Sequence, residues 1–161
     1  MLGATDPAPA ITQEETMYKR ILLAYDGSPS GQKALLDCRE LAQWSQAELA
    51  LVAVLPITIG LVSIEGGVYD SAMMEREKQG MQNVLDDGLH RLQASGYQAK
   101  GMLLTGDTVE EITGYAKKIE ADLIVVGHKH LNNWAARWWK TSVSKSLIGL
   151  SHCSVLVAIT A

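Results

Sequence analysis

Short apolar runs alternate with amphipathic segments along the chain, and this alternation constrains the fold more than any other feature. Residues 21–25 form a continuous apolar run of strand length, as expected of a parallel strand that is buried on both faces. Four further strands are predicted over residues 48–55, 99–104, 122–127 and 154–159.

Amphipathic segments fill the intervals between these strands. Apolar residues recur at helical spacing in four places, over residues 34–42, roughly 70–94, 109–119 and 143–148. The order βαβαβαβαβ requires a parallel sheet with helices on both faces, because right-handed crossovers place them there. Ligands of such folds bind at the carboxyl ends of strands, where the strand order reverses. The turns after the first and fourth strands are therefore candidate sites.

Composition limits the function classes. The 161 residues fit one domain, and 47% of them are apolar, which is enough for a packed core. Fourteen basic and 18 acidic residues give a net charge of -4. This balance argues against a nucleic-acid or membrane-surface binder, because both need clustered positive charge. No apolar run reaches the roughly 18–20 residues that a membrane span needs.

The first 16 residues differ from the rest of the chain. They contain small residues, two prolines and three acids without periodicity, so we expect a disordered tail over 1–16 and one domain over 17–161. The tail has neither the basic start nor the apolar stretch of a secretory signal. Cys38 and Cys153 lie in apolar-periodic segments and are predicted to be reduced core residues of a cytoplasmic protein.

Five segments, in this order and spacing, resemble the universal stress protein family. Residues 19–28 are similar to the family's opening strand, 106–112 to its third turn and 122–127 to its fourth strand; residues 142–147 and 153–157 are similar to its closing helix and strand. The resemblance spans about 17–161. It implies an open Rossmann-like sheet of order 3-2-1-4-5, as in the adenine-nucleotide α-hydrolase-like folds, and a small cytoplasmic protein of the stress response.

The resemblance also implies a ligand site. The family's ATP-binding members carry a motif after the fourth strand: Gly, two residues, Gly, nine residues, Gly, then Ser or Thr. Its backbone amides and the next helix hold the phosphates. The motif begins here at Gly127 and ends at Thr141, Ser142 and Val143, and the family's adenine and ribose positions fall on Asp26 and Val54. The implied cofactor is ATP or another adenine nucleotide, with Mg²⁺ as the accompanying ion. From the residues alone, Asp26 equally suits a turn and Val54 a core.

The segment after Gly127 departs from that motif. His130 replaces the second glycine, and Lys140 or Thr141 replaces the third, depending on the register. Five potential cations lie in this segment: His128, Lys129, His130, Arg137 and Lys140. These side chains could hold an anion directly, with three nearby tryptophans available for stacking on a base. Two alternatives stay open, namely a solvated basic loop and a protein-contact patch.

The expected function is regulatory and not catalytic. The sequence contains no P-loop string and no plausible nucleophile–base pair. His128 and His130 are too few ligands for a metal site. The last strand is apolar and would lie at the sheet edge, so we expect a homodimer with Val155 and Val157 near the two-fold axis. The alternative function is a dimeric module that binds a regulatory protein partner and no nucleotide.

Overall fold

The computed structural model describes residues 17–57, 71–129 and 143–160. The strands are β1 (Arg20–Ala24), β2 (Glu48–Pro56), β3 (Ala99–Gly106), β4 (Leu123–Lys129) and β5 (Ser154–Thr160). The helices are α1 (Pro29–Ser45), α2 (Ser71–Ala94), α3 (Thr108–Lys118) and α4 (Val143–Leu150). All neighbouring strands are parallel, in the order β3-β2-β1-β4-β5, which confirms the predicted fold class.

The sheet has a hydrophobic core on each face. Helices α1 and α2 cover one face, where Ile21 and Leu23 of β1 are fully buried. Helices α3 and α4 cover the other face, where Leu22 lies in a second core with Ile112 and Leu147. Successive side chains of β1 therefore enter different cores, and this explains why its sequence is apolar without alternation.

Local signals in the sequence set the helix ends. Ser28 caps α1 by accepting a hydrogen bond from the Gly31 amide at 3.0 Å. Asp107 caps α3 in the same way, accepting from the amides of Val109 and Glu110 at 3.0 Å each. Gly96 follows α2 with a φ of 85°, the left-handed conformation that glycine commonly adopts where a helix ends.

Four of the five strands extend further at their carboxyl ends than the sequence pattern predicts, while β1 keeps its predicted length of five residues. Strand β4 continues through His128 and Lys129, which pair with Ile159 and Thr160 of β5. These two residues were expected in a loop, and that expectation is wrong. Strand β3 likewise continues to Gly106 because β2 provides a neighbour along its full length. The ends of these strands are set by pairing with their neighbours. The residue pattern of one strand does not show which strand lies beside it.

Several expectations fall outside the described residues. They concern the tail over 1–16, the start of the second helix at Asp70 and the tryptophan-rich segment over 130–142. Within the described part, Cys38 is buried and Cys153 is half-buried, and both are free thiols. Among the helices that the structure describes, no membrane-spanning segment is found.

Candidate functional site

A cleft opens at the carboxyl edge of the sheet, where β1, β2 and β4 end beside the first turns of α3 and α4. Its described lining comprises Ala24, Tyr25, Asp26, Val52, Val54, Thr108, Ile112, Val126, Gly127 and Val143. The strand order reverses at β1, between β2 and β4. The cleft therefore lies where open α/β sheets bind their ligands.

Four of the residues proposed from the sequence meet in this cleft: Asp26, Val54, Gly127 and Val143. The other five, His130, Arg137, Lys140, Thr141 and Ser142, lie outside the described residues. Sequence analysis missed Thr108 and Ile112, which α3 brings to the cleft. The capping residue Asp107 indicates where α3 begins. The strand order places the start of α3 next to the turn that follows β1.

The two carboxylate oxygens of Asp26 differ in their hydrogen bonds. Oδ1 accepts from the Ser28 amide at 3.0 Å and from the Ser28 hydroxyl at 2.5 Å. The turn interpretation of Asp26 is therefore correct. Oδ2 makes no hydrogen bond with any described residue, so it is available to accept one from a ligand.

The walls of the cleft are apolar. Val52, Val126 and Ile112 are buried, and Val54 packs against the same core. An apolar surface of this kind can pack against the face of a planar ring. The contact is favourable because it removes apolar area from water. The charged group of the lining is Asp26, which follows β1, and Thr108 adds a hydroxyl at the start of α3.

Gly127 has a structural reason to be glycine. A Cβ at this position would lie 2.3 Å from the carbonyl carbon and oxygen of Ser30 and 2.6 Å from the Gly31 nitrogen. The first turn of α1 thus packs directly on the backbone of β4. This close approach explains Gly127 without a nucleotide, so its presence alone does not distinguish a ligand site from tight packing.

His128 connects the end of β4 to the first turn of α4. Its Nδ1 lies 3.1 Å from Oγ of Ser144, which is buried. The contact holds the amino end of α4 beside the cleft. Helix amino ends carry unpaired N–H groups and a partial positive charge, and both favour an anion.

A second polar network supports the end of β1 from the other face. The Tyr25 hydroxyl donates to Oδ2 of Asp87 at 3.2 Å, and Arg91 Nε donates to the same oxygen at 2.7 Å. Burial, followed by the Asp87 charge, raises the pKa of Tyr25. The hydrogen bond from Arg91 is the main reason that the pKa of Asp87 lies below its ordinary value. Tyr25 therefore stays neutral and Asp87 charged near pH 7, so the network links β1 to α2.

The described part of the chain contains no cluster of metal ligands. No group of three or more His, Cys, Asp or Glu side chains there could hold an ion. His152 is exposed beside β5, on the amino side of the sheet.

Comparisons with known proteins all identify the same family. Residues 17–158 match the universal stress protein family. Universal stress protein YxiE of Bacillus subtilis is 31% identical over 148 residues, covering 88% of this chain and 99% of that protein. A structure from Burkholderia pseudomallei, from the same family, is 28% identical with a TM-score of 0.69, covering 88% and 96% of the two chains. A universal stress protein solved in complex with cAMP has a TM-score of 0.68 and 21% identity, covering 89% and 99%.

Proposed function

The chain belongs to the universal stress protein family, and we propose that it is a cytoplasmic regulatory protein that binds an adenine nucleotide without dedicated catalysis. One observation carries the proposal. Asp26, Val54, Gly127 and Val143, which the family resemblance assigns to the ligand, line a single cleft at the carboxyl edge of the sheet.

The residues of the cleft fit the parts of an adenine nucleotide. The apolar walls formed by Val54, Val126 and Ile112 suit the purine, which is planar and buries its faces. Oδ2 of Asp26 is free to accept a bond from a ribose hydroxyl, because Oδ1 alone holds the turn. The amino end of α4 suits a phosphate. Mg²⁺ would accompany a polyphosphate, held by phosphate oxygens, by water and by one or two carboxylates.

The structural neighbour that was solved with cAMP supports this chemistry, because cAMP is an adenine nucleotide. The chain reproduces that neighbour's fold over nearly all of its length. The choice between a monophosphate and a triphosphate depends on the segment over 130–142. We therefore propose the adenine nucleotides as a class.

Calorimetry with ATP, ADP, AMP and cAMP tests the proposal. Asp26→Asn is the most informative variant, because the asparagine carbonyl can replace Oδ1 in the turn while its amide cannot accept the ribose bond. We expect it to weaken binding by about tenfold to a hundredfold, the scale of a hydrogen bond to a charged group. Asp37→Asn is the matched control, since that carboxylate is paired with Lys33 on the surface of α1.

A second variant tests the apolar walls of the cleft, where we expect the purine to bind. Val54→Phe would fill the space between the apolar walls and should abolish binding, whereas Met102→Phe on β3, which is 40% exposed, should leave it unchanged. Melting curves establish that both variants fold. Saturable binding that neither Asp26→Asn nor Val54→Phe alters would place the nucleotide elsewhere, and no binding at all would reject the proposal.

An exposed apolar surface favours a second candidate function, a homodimer that acts through a regulatory protein partner. Ile148 and Leu150 of α4 are each 64% exposed and Ile159 of β5 is 55% exposed. Val155 and Val157 share the α4 side of β5 with Ile159. We propose that this edge pairs with a second copy about a two-fold axis, because an apolar edge strand invites pairing.

A further inference from the structure

A second cavity lies at the opposite edge of the sheet, where β1, β2 and β3 begin beneath the last turns of α3. Its volume is about 580 Å³, within the range of sites that bind small molecules. The five residues of β1 separate this edge from the carboxyl edge by about 15 Å. The cavity is therefore distinct from the nucleotide cleft, and a ligand bound in it would not depend on the proposed function.

The part of this cavity between Ala50 and α3 is apolar. Ala50 of β2 lies among its lining residues with 8% of its surface exposed. Tyr115 of α3 and Ile119, which directly follows that helix, line it and pack, half-buried, against the second core. Because alanine is the smallest of these side chains, α3 and the sheet leave room between Ala50 and the helix. An apolar group entering this room would leave water, which stabilises it there.

Two opposite charges flank the apolar interior. Glu48 lies two residues before Ala50 on β2, on the same face, and Lys100 of β3 is the register partner of Ala50. Neither side chain forms an ion pair or hydrogen bond with a described residue, and the two do not pair with each other. Arg20 is the third charged residue of the lining, and it forms an ion pair with Glu120 at 2.8 Å.

We propose that this cavity binds an apolar α-amino acid. Lys100 would take the carboxylate and Glu48 the ammonium group, while the apolar side chain lies over Ala50 between Tyr115 and Ile119. A zwitterion satisfies both unpaired charges at once. A simple carboxylate would be repelled by the like charge of Glu48, and a simple amine by that of Lys100, so the pair of charges discriminates against both.

Nuclear magnetic resonance titration of the full ¹⁵N-labelled chain tests the proposal with three probes. They are L-phenylalanine, 3-phenylpropionate, which lacks the ammonium group, and 2-phenylethylamine, which lacks the carboxylate. We expect phenylalanine to shift the amides at the starts of β1, β2 and β3 and to bind at least about tenfold more tightly than either analogue. The amides of Asp26 and Gly127, at the other edge, should not move.

Two charge-removing variants complete the test. Lys100→Met and Glu48→Gln should each weaken phenylalanine binding by about tenfold, and both should leave the affinity for adenine nucleotides unchanged. Lys118→Met and Glu40→Gln are matched controls on helix surfaces. Both target side chains are exposed, so the variants should fold, and melting curves check this.

Three results would overturn the inference. They are the absence of saturable shifts with phenylalanine up to about 10 mM, equal binding of phenylpropionate, and binding that neither charge variant weakens. Nucleotide affinity is measured separately in the same samples, so failure here is distinguishable from failure of the proposed function.

Discussion

Replacing Gly127 with alanine tests how closely α1 packs on the sheet. The added Cβ would lie 2.3 Å from two backbone atoms of Ser30, whereas carbon atoms in ordinary contact are about 3.5 Å apart. The two backbones must therefore separate by about 1 Å. Neither can yield as a flexible side chain would, because Ser30 is in the first turn of α1 and Gly127 is paired within β4.

The expected cost is at the upper end of the range for overpacked cores, about 3 kcal/mol. For a domain of this size each kcal/mol lowers the melting temperature by about 2–4 °C, so Gly127→Ala should melt about 6–12 °C below the wild type. Urea unfolding followed by circular dichroism measures the free energy directly. The midpoint should fall while the slope stays constant, because the area exposed on unfolding is nearly the same.

Gly114→Ala is the matched control. Gly114 lies inside α3, and a Cβ there would have no atom within 4 Å. Alanine should therefore stabilise the protein by about 0.5–1 kcal/mol through its better helix propensity. If Gly127→Ala instead unfolds within about 0.5 kcal/mol of the wild type, the packing explanation of this glycine is wrong.

Three further predictions concern helix capping, pH and assembly. Asp107→Ala should lower the free energy of unfolding by about 1 kcal/mol, and Asp107→Asn should retain most of it, as measured by urea denaturation. The pKa of Asp87 is lowered by Arg91, so its stabilising effect is complete above the unfolded-state pKa of about 3.9 and is lost as the pH falls through the lower folded-state value. The difference in stability between wild type and Asp87→Asn should therefore shrink below pH about 4; a constant difference would contradict this. Light scattering at micromolar concentration should show a dimer for the wild type and a monomer for Ile159→Asp, which adds a charge beside Val157; a monomeric wild type would reject the interface.

The elements of the fold could be predicted because their signals are local. The apolar run of β1, the cap at Asp107 and the left-handed Gly96 each act within a few residues. The strand order came from the family resemblance, since runs that are buried on both faces say little about which strands are neighbours. The end of β4 was misplaced because His128 is polar, and only its pairing with β5 makes it a strand residue.

The candidate site could be predicted only in part, for a similar reason. Asp26 and Val54 were assigned from the resemblance, and the structure brings them together. Ile112 lies in the amphipathic segment predicted over 109–119, but its place in the cleft depends on how α3 crosses the sheet. The tight contact at Gly127 depends on α1, which is almost 100 residues away in the chain. Such contacts between distant segments leave no pattern in one sequence.

The proposed function requires an adenine nucleotide to occupy the cleft at the carboxyl edge of the sheet. The most direct measurement is a titration of the ¹⁵N-labelled chain with AMP, followed residue by residue. We expect saturable shifts at the amides of Asp26, Val54, Gly127 and Val143, and we expect Asp26→Asn to weaken the binding that causes them. Shifts confined to other surfaces, or no shifts up to about 5 mM AMP, would contradict this expectation.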